Sequence, residues 1–184
     1  MVNRRIASGC LCILLMLAPA AAPAATVAGI SIPGYLRTHA GRLELASCGV
    51  RRTLWIEHYV AALYLPRGAS VQALPDARTP KAVLLHIVDA RYLPGEIPGK
   101  WAHVLDREIA PRAITRVRRL YRKLTDGDIL TMVYQPRRGT AMRFNGALIA
   151  RVRGHALVRA ILDTWADEEP LADKLHELAV EHRC

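Results

Sequence analysis

The sequence predicts an α+β fold in which helices lie on an antiparallel sheet. Two observations carry this expectation. Short apolar runs rich in β-branched residues, bounded by turn residues, recur at 26–32, 43–65, 81–88, 128–135, 140–144 and 147–153, and the Asn145-Gly146 pair marks a two-residue hairpin. The helical periodicities fall in groups, two between residues 98 and 124 and two after residue 154, rather than one between each pair of strands. Hairpin-linked strands with grouped helices make an antiparallel layer, not a series of parallel βαβ units.

The N-terminus reads as an export signal. Arg4 and Arg5 precede an apolar stretch at 6–17 that is too short to span a bilayer, and Ala22-Pro23-Ala24 is a plausible cleavage site. The expected organisation is a signal peptide at 1–24 and one domain at 25–184, destined for the periplasm or secretion. A lipoprotein reading of Ala7-Ser8-Gly9-Cys10 is disfavoured because the apolar segment follows the cysteine. Cleavage leaves 24 basic residues against 16 acidic ones, a net charge of +8. Such a field favours anionic small molecules or membrane surfaces, and export makes nucleic acid the least favoured partner. Of four cysteines, Cys48 and Cys184 remain. A bridge between them is possible in an oxidising compartment, but a buried Cys48 thiol and a frayed terminal cysteine are the favoured expectation.

Residues 43–66 form the centre of the chain. The first arm is expected at 43–50 and the second at 53–65, with Arg51 and Arg52 in the turn between them. On the second arm Trp55, Glu57, Tyr59, Ala61 and Leu63 point one way, and Leu54, Ile56, His58, Val60, Ala62 and Tyr64 the other. Two largely apolar faces imply a central strand covered on both sides. The arginine pair either binds an anion or is solvated in the turn.

The remaining elements follow in order. Residues 26–32 make a first strand ending at Pro33-Gly34, and 66–80 read as loop. Trp101, Val104, Leu105 and Ile109 fall at helical spacing; a second helix starts after Pro111 and carries Ile114, Val117, Leu120, Tyr121 and Leu124 up to Asp126-Gly127. Its outer face holds Arg112, Arg116, Arg118, Arg119, Arg122 and Lys123. That face is either a solvated surface or a contact for anionic lipid through Arg118 and Arg122. A third helix follows Gly154, and Pro170 opens a fourth.

Several chemistries are excluded. The seven histidines form no HExxH motif and no Cys/His cluster of metal-ligand spacing, so no metal is expected. There is no G-x-S-x-G, phosphate-binding glycine loop or dinucleotide fingerprint, so no cofactor is expected either. His86, inside an apolar strand, reads as a core histidine.

In order and spacing, the segments at 43–66, Asp126-Gly127-Asp128-Ile129, Phe144-Asn145-Gly146 and 161–175 resemble the bacterial exported branch of the chalcone isomerase-like family. The resemblance implies an open-faced β-sandwich, a large antiparallel sheet with helices packed on it and a ligand cleft between them. Plant enzymes of the family cyclise a hydroxychalcone by intramolecular addition; other members lack activity and bind fatty acids. In the enzymes an arginine, a strand threonine, a tyrosine, an asparagine and a late-helix threonine shape the cleft. Arg51 matches the arginine and Thr164 the late-helix threonine, with Trp165 beside it. The strand threonine falls at Tyr59, which fills volume that a chalcone would need, and the segment around 101–108 holds neither tyrosine nor asparagine. The expectation is therefore a non-catalytic protein for a small apolar, fatty-acid-like acid. Its carboxylate would sit on Arg51 and its tail among Tyr59, Ala61, Thr164 and Trp165. The alternative is an isomerase of the intramolecular lyase type acting on a chalcone-like or other unsaturated molecule.

Overall fold

The computed structural model describes residues 24–166. The expected signal peptide, the helix from Pro170, Cys184 and the side chain of Trp165 lie outside the described residues.

A curled sheet of seven strands runs in sequence order, each strand antiparallel to the next. They are β3 (Tyr35–Thr38), β4 (Gly41–Thr53), β5 (Ile56–Leu65), β6 (Lys81–Ile87), β7 (Ile129–Gln135), β8 (Gly139–Phe144) and β9 (Ala147–Val152). The helices α1 (Gly99–Glu108), α2 (Pro111–Tyr121) and α3 (Ala156–Ala166) pack on one face. Nearest-neighbour order with one long excursion, the α1–α2 segment between β6 and β7, is the α+β arrangement expected from hairpins and grouped helices. A separate hairpin, β1 (Ala24–Val27) with β2 (Ile30–Pro33), replaces the single strand expected at 26–32. Ala28 and Gly29 turn the chain there, with φ of 49° and 75°. An alanine in that conformation gives no turn signal in sequence.

Both faces of β5 are covered. Ala61, Leu63 and Leu65 join Val83, Leu85 and Ile87 of β6 beneath Trp101, Leu105, Ile114, Val117, Leu157 and Ile161 of the helices. On the opposite face Val60, Ala62 and Tyr64 meet Ala82, Leu84, Leu43 and Cys48, with Ile32 of β2 buried over them. Tyr64 fixes that cover by donating from its hydroxyl to the Pro33 carbonyl at 3.0 Å. The period-2 alternation of β5 thus builds two cores.

The central hairpin departs from expectation at its tip. Arg51 and Arg52 are not turn residues; they extend β4 and pair with Tyr59 and Glu57. Arg52 forms an ion pair with Glu57 across the strands. The turn is Leu54-Trp55, with Leu54 at φ 54°. The cross-strand ion pair holds the strands together past the position where the arginines suggested a break.

The quoted motifs at 126–129 and 144–146 lock to one another. Asn145, at φ 46°, accepts from the Ile129 N–H and donates to Asp128, both at 2.8 Å. The other Asp128 oxygen receives the Thr125 N–H at 2.7 Å. These hydrogen bonds hold the start of β7 to the β8–β9 turn. Gly139, at φ 76°, opens β8 where a Cβ would come within 2.0 Å of the Val152 carbonyl oxygen, so only glycine fits.

Candidate ligand-binding site

A cavity of about 180 Å³ lies between the helix-covered face of the sheet and the helices. Its apolar wall comes from Leu85 and Ile87 of β6, Leu130 of β7 and Leu124, with Leu93, Pro94 and Pro98 from the segment that leads into α1. Trp101, Tyr121 and Thr164 bring one side chain from each helix. Tyr59 enters from β5, and Arg51, Thr53, His58 and Tyr92 complete the lining.

A β-bulge shapes the polar end. Arg51 pairs with Tyr59 but Arg52 with Glu57, so His58 is the extra residue on its strand. Its carbonyl takes two N–H groups, those of Val88 and Asp89, at 2.9 and 3.2 Å. A bulge interrupts the alternation of side chains and re-aims one of them. Here it turns His58 towards the cavity that Tyr59 also lines, although strict alternation assigns it to the opposite face. His58 Nε2 lies 2.9 Å from the Thr53 hydroxyl, and its ring meets Tyr92 edge-on at 6.3 Å.

The hydroxyl groups differ in what they offer. Thr164 donates to the Ala160 carbonyl at 2.8 Å and accepts the Trp101 indole N–H at 2.9 Å, which ties α1 to α3. Its proton is committed to its own helix. Tyr121 has its phenol pushed up to about 12, first by burial and then by neighbouring Tyr59. It stays protonated near neutral pH and offers a donor to an anion. Arg51, half-buried at the same cavity, supplies the positive charge. A cationic and hydroxylic end joined to an apolar wall suits an amphipathic acid.

Of the residues singled out by sequence, Arg51, Tyr59 and Thr164 line this one cavity. Ala61 does not line it; it is fully buried in the core, two residues further along the Tyr59 face of β5. Two further tyrosines line the cavity, Tyr121 on α2 and Tyr92 before α1. In the sequence Tyr121 is part of a helical stripe and one of several aromatics of which a subset could line a pocket, and Tyr92 ends a single 3-10 turn, Ala90–Tyr92, too short for a periodicity to read. On α2, Arg118 is engaged by both Asp106 oxygens at 2.9 and 2.7 Å, and with Arg122 it borders a separate cleft beside Ile97. Among the described residues no group of His, Cys, Asp and Glu is arranged to hold a metal ion, and no helix is long and apolar enough to cross a membrane. Cys48 is disulfide-bonded, against the favoured expectation of a buried thiol, and its partner lies outside the described residues.

The model of a family described as chalcone isomerase-like matches residues 24–178. A crystal structure of an Arabidopsis thaliana fatty-acid binding protein superposes with a TM-score of 0.55 at 15% identity, covering 84% of this chain and 94% of that one. At that identity the likeness is one of fold. No curated protein matches by sequence.

Proposed function

Because the chain belongs to the chalcone isomerase-like family, we propose that it is an exported, non-catalytic binding protein for a small apolar acid of the fatty-acid type. One observation carries the reading: Arg51 and the Tyr59 and Tyr121 phenols meet at one cavity whose remaining wall is mostly aliphatic. Arg51 takes the carboxylate through charge-assisted hydrogen bonds, the phenols donate to it, and the tail lies against Leu85, Ile87 and Leu130. A similar fold in a protein described as fatty-acid binding supports the same class of ligand. The cavity, about 180 Å³, is below the ~300 Å³ at which pockets for drug-sized ligands begin, which favours a short acyl chain or entry of part of a longer one. The disulfide at Cys48 supports export.

Organic extraction and mass spectrometry of the purified protein will recover a carboxylic acid. Calorimetric titration with octanoate, laurate and palmitate will show saturable binding. Arg51→Ala will weaken it by about 10- to 100-fold, the worth of a charge-assisted hydrogen bond of about 1.5–3 kcal/mol. Absence of both a co-purifying acid and any saturable titration would end this reading. Cyclisation of a hydroxychalcone faster than in buffer, and lost in Arg51→Ala, would replace it with the isomerase.

A further inference from the structure

Four large apolar side chains are exposed among the described residues: Leu54 at 77%, Trp55 at 81%, Tyr92 at 50% and Leu148 at 44%. Three of the four either line the cavity or form the turn next to one of its lining residues. Leu54 and Trp55 directly follow Thr53, which lines the cavity together with Tyr92. The fold does not explain this tip. Leu54 sits at φ 54°, where a leucine costs about 1–2 kcal/mol that a glycine would not. Neither the leucine nor the tryptophan buries its side chain in return. A turn made only for folding takes glycine or asparagine.

We infer that the Leu54–Trp55 tip inserts into the interface of an anionic lipid bilayer and brings the mouth of the cavity to the membrane surface. Leucine and tryptophan are the residue types that settle at the boundary between headgroups and acyl chains. Tyr92, amphipathic like Trp55, is a third anchor. Arg51 and Arg52 stand just behind the tip, Arg91 beside Tyr92, and the chain as a whole carries a formal +10. Glu57 and Asp89 offset part of the local charge through ion pairs with Arg52 and Arg91, so apolar insertion leads and charge assists. A lipid surface fits better than a protein: a stable protein interface needs roughly 1,000 Å² or more of complementary surface, whereas insertion needs only a few side chains on a protruding turn. The inference concerns where the protein docks and does not depend on what the cavity holds.

The test uses the purified full chain with vesicles of phosphatidylglycerol and phosphatidylethanolamine, or of phosphatidylcholine alone. The protein will co-sediment with the anionic vesicles, and Trp55 emission will shift to the blue and be quenched by bromine-labelled acyl chains. A Leu54→Gly, Trp55→Ser double variant will keep its melting temperature and lose at least 10-fold in vesicle partitioning. Arg118→Glu with Arg122→Glu will lose much less. Failure of the parent protein to sediment with anionic vesicles overturns the inference. So does equal partitioning of the tip variant, or loss confined to the Arg118 and Arg122 variant, which would transfer the contact to α2. If the tip variant instead converts a dimer to a monomer without lipid, the tip is a surface between copies of the chain.

Discussion

Lys81 is the residue whose placement is least expected from its type. It opens β6 and is fully buried. Its ammonium group donates to the carbonyls of Leu74 and Asp76, the latter at 2.8 Å, and lies 3.1 Å from His155 Nε2 and 5.5 Å from the centre of the Tyr134 ring. One cation thus fastens the 66–80 loop and the approach to α3 to the end of the sheet. Burial lowers its pKa to about 8, with the Asp76 charge partly opposing. Burial also lowers that of His155, helped by Lys81 and Arg159, so a neutral imidazole can accept from the lysine. Lys81→Met leaves two carbonyls without their donor and should cost about 1–3 kcal/mol, more than relief of the buried charge returns. The pH dependence has a definite sign. Between about 8 and the ordinary lysine value of 10.5 the unfolded chain holds a proton that the folded chain has lost, so stability rises with pH in the parent and not in the variant. Denaturant midpoints at pH 7 to 10 will therefore show a gap that widens upward; a constant gap would mean the amine is not desolvated. Nothing in the sequence announces this, since a lysine at the head of an apolar run looks like a strand boundary. Arg51, by contrast, was singled out by its place in a recognisable segment, and it does line the cavity.

At the scale of elements, the sequence was legible wherever a local rule acts alone. Pro111 occupies the first turn of α2, and Asn145-Gly146 makes the β8–β9 hairpin, both positions at positive φ. It was misleading where a non-local pairing overrides local preference. The Arg52–Glu57 ion pair carries β4 three residues past its expected end at Val50, and the bulge at His58 turns a cavity residue out of strict alternation. Neither leaves a compositional mark, because both depend on which strand lies opposite. The Asp128–Asn145 lock illustrates the reverse case: segments that carried the family resemblance join β7 to the next hairpin. Asn145→Ala loses both side-chain bonds and places an alanine at φ 46°, whereas Asn145→Gly loses only the bonds. Thermal or denaturant unfolding should find both variants destabilised, by about 1–3 kcal/mol for the bonds, with alanine worse than glycine by about 1 kcal/mol. Equal costs would show that backbone conformation contributes nothing at this turn.

At the scale of the whole molecule, the export proposed above ties several features together. Sheet order and layering were readable because hairpins keep neighbours in sequence adjacent in space, while the β1–β2 cover was not, because it folds back over the sheet through Ile32 and the Tyr64–Pro33 hydrogen bond. Beneath that cover lies Cys48, 1% exposed and disulfide-bonded. A thiol in that position would be hard to oxidise after folding; under the export proposed above, the bond forms as the chain folds, in a compartment that supplies an oxidant. In the same proposal, the basic, apolar segment at 1–17 with small residues at 18–25 is the signal that takes the chain there. The chain expressed with its native N-terminus in a Gram-negative host should accumulate in the periplasmic fraction, begin at or near Ala25 by N-terminal sequencing, and show no free thiol until unfolded and reduced. Expressed from residue 25 in the cytosol it should retain reactive thiols and unfold at lower denaturant, by the ~2–4 kcal/mol that a native disulfide typically contributes. Retention of residues 1–24 on protein found in the cytosol, or a cytosolic form as stable as the exported one, would argue that the fold neither needs nor meets an oxidising compartment.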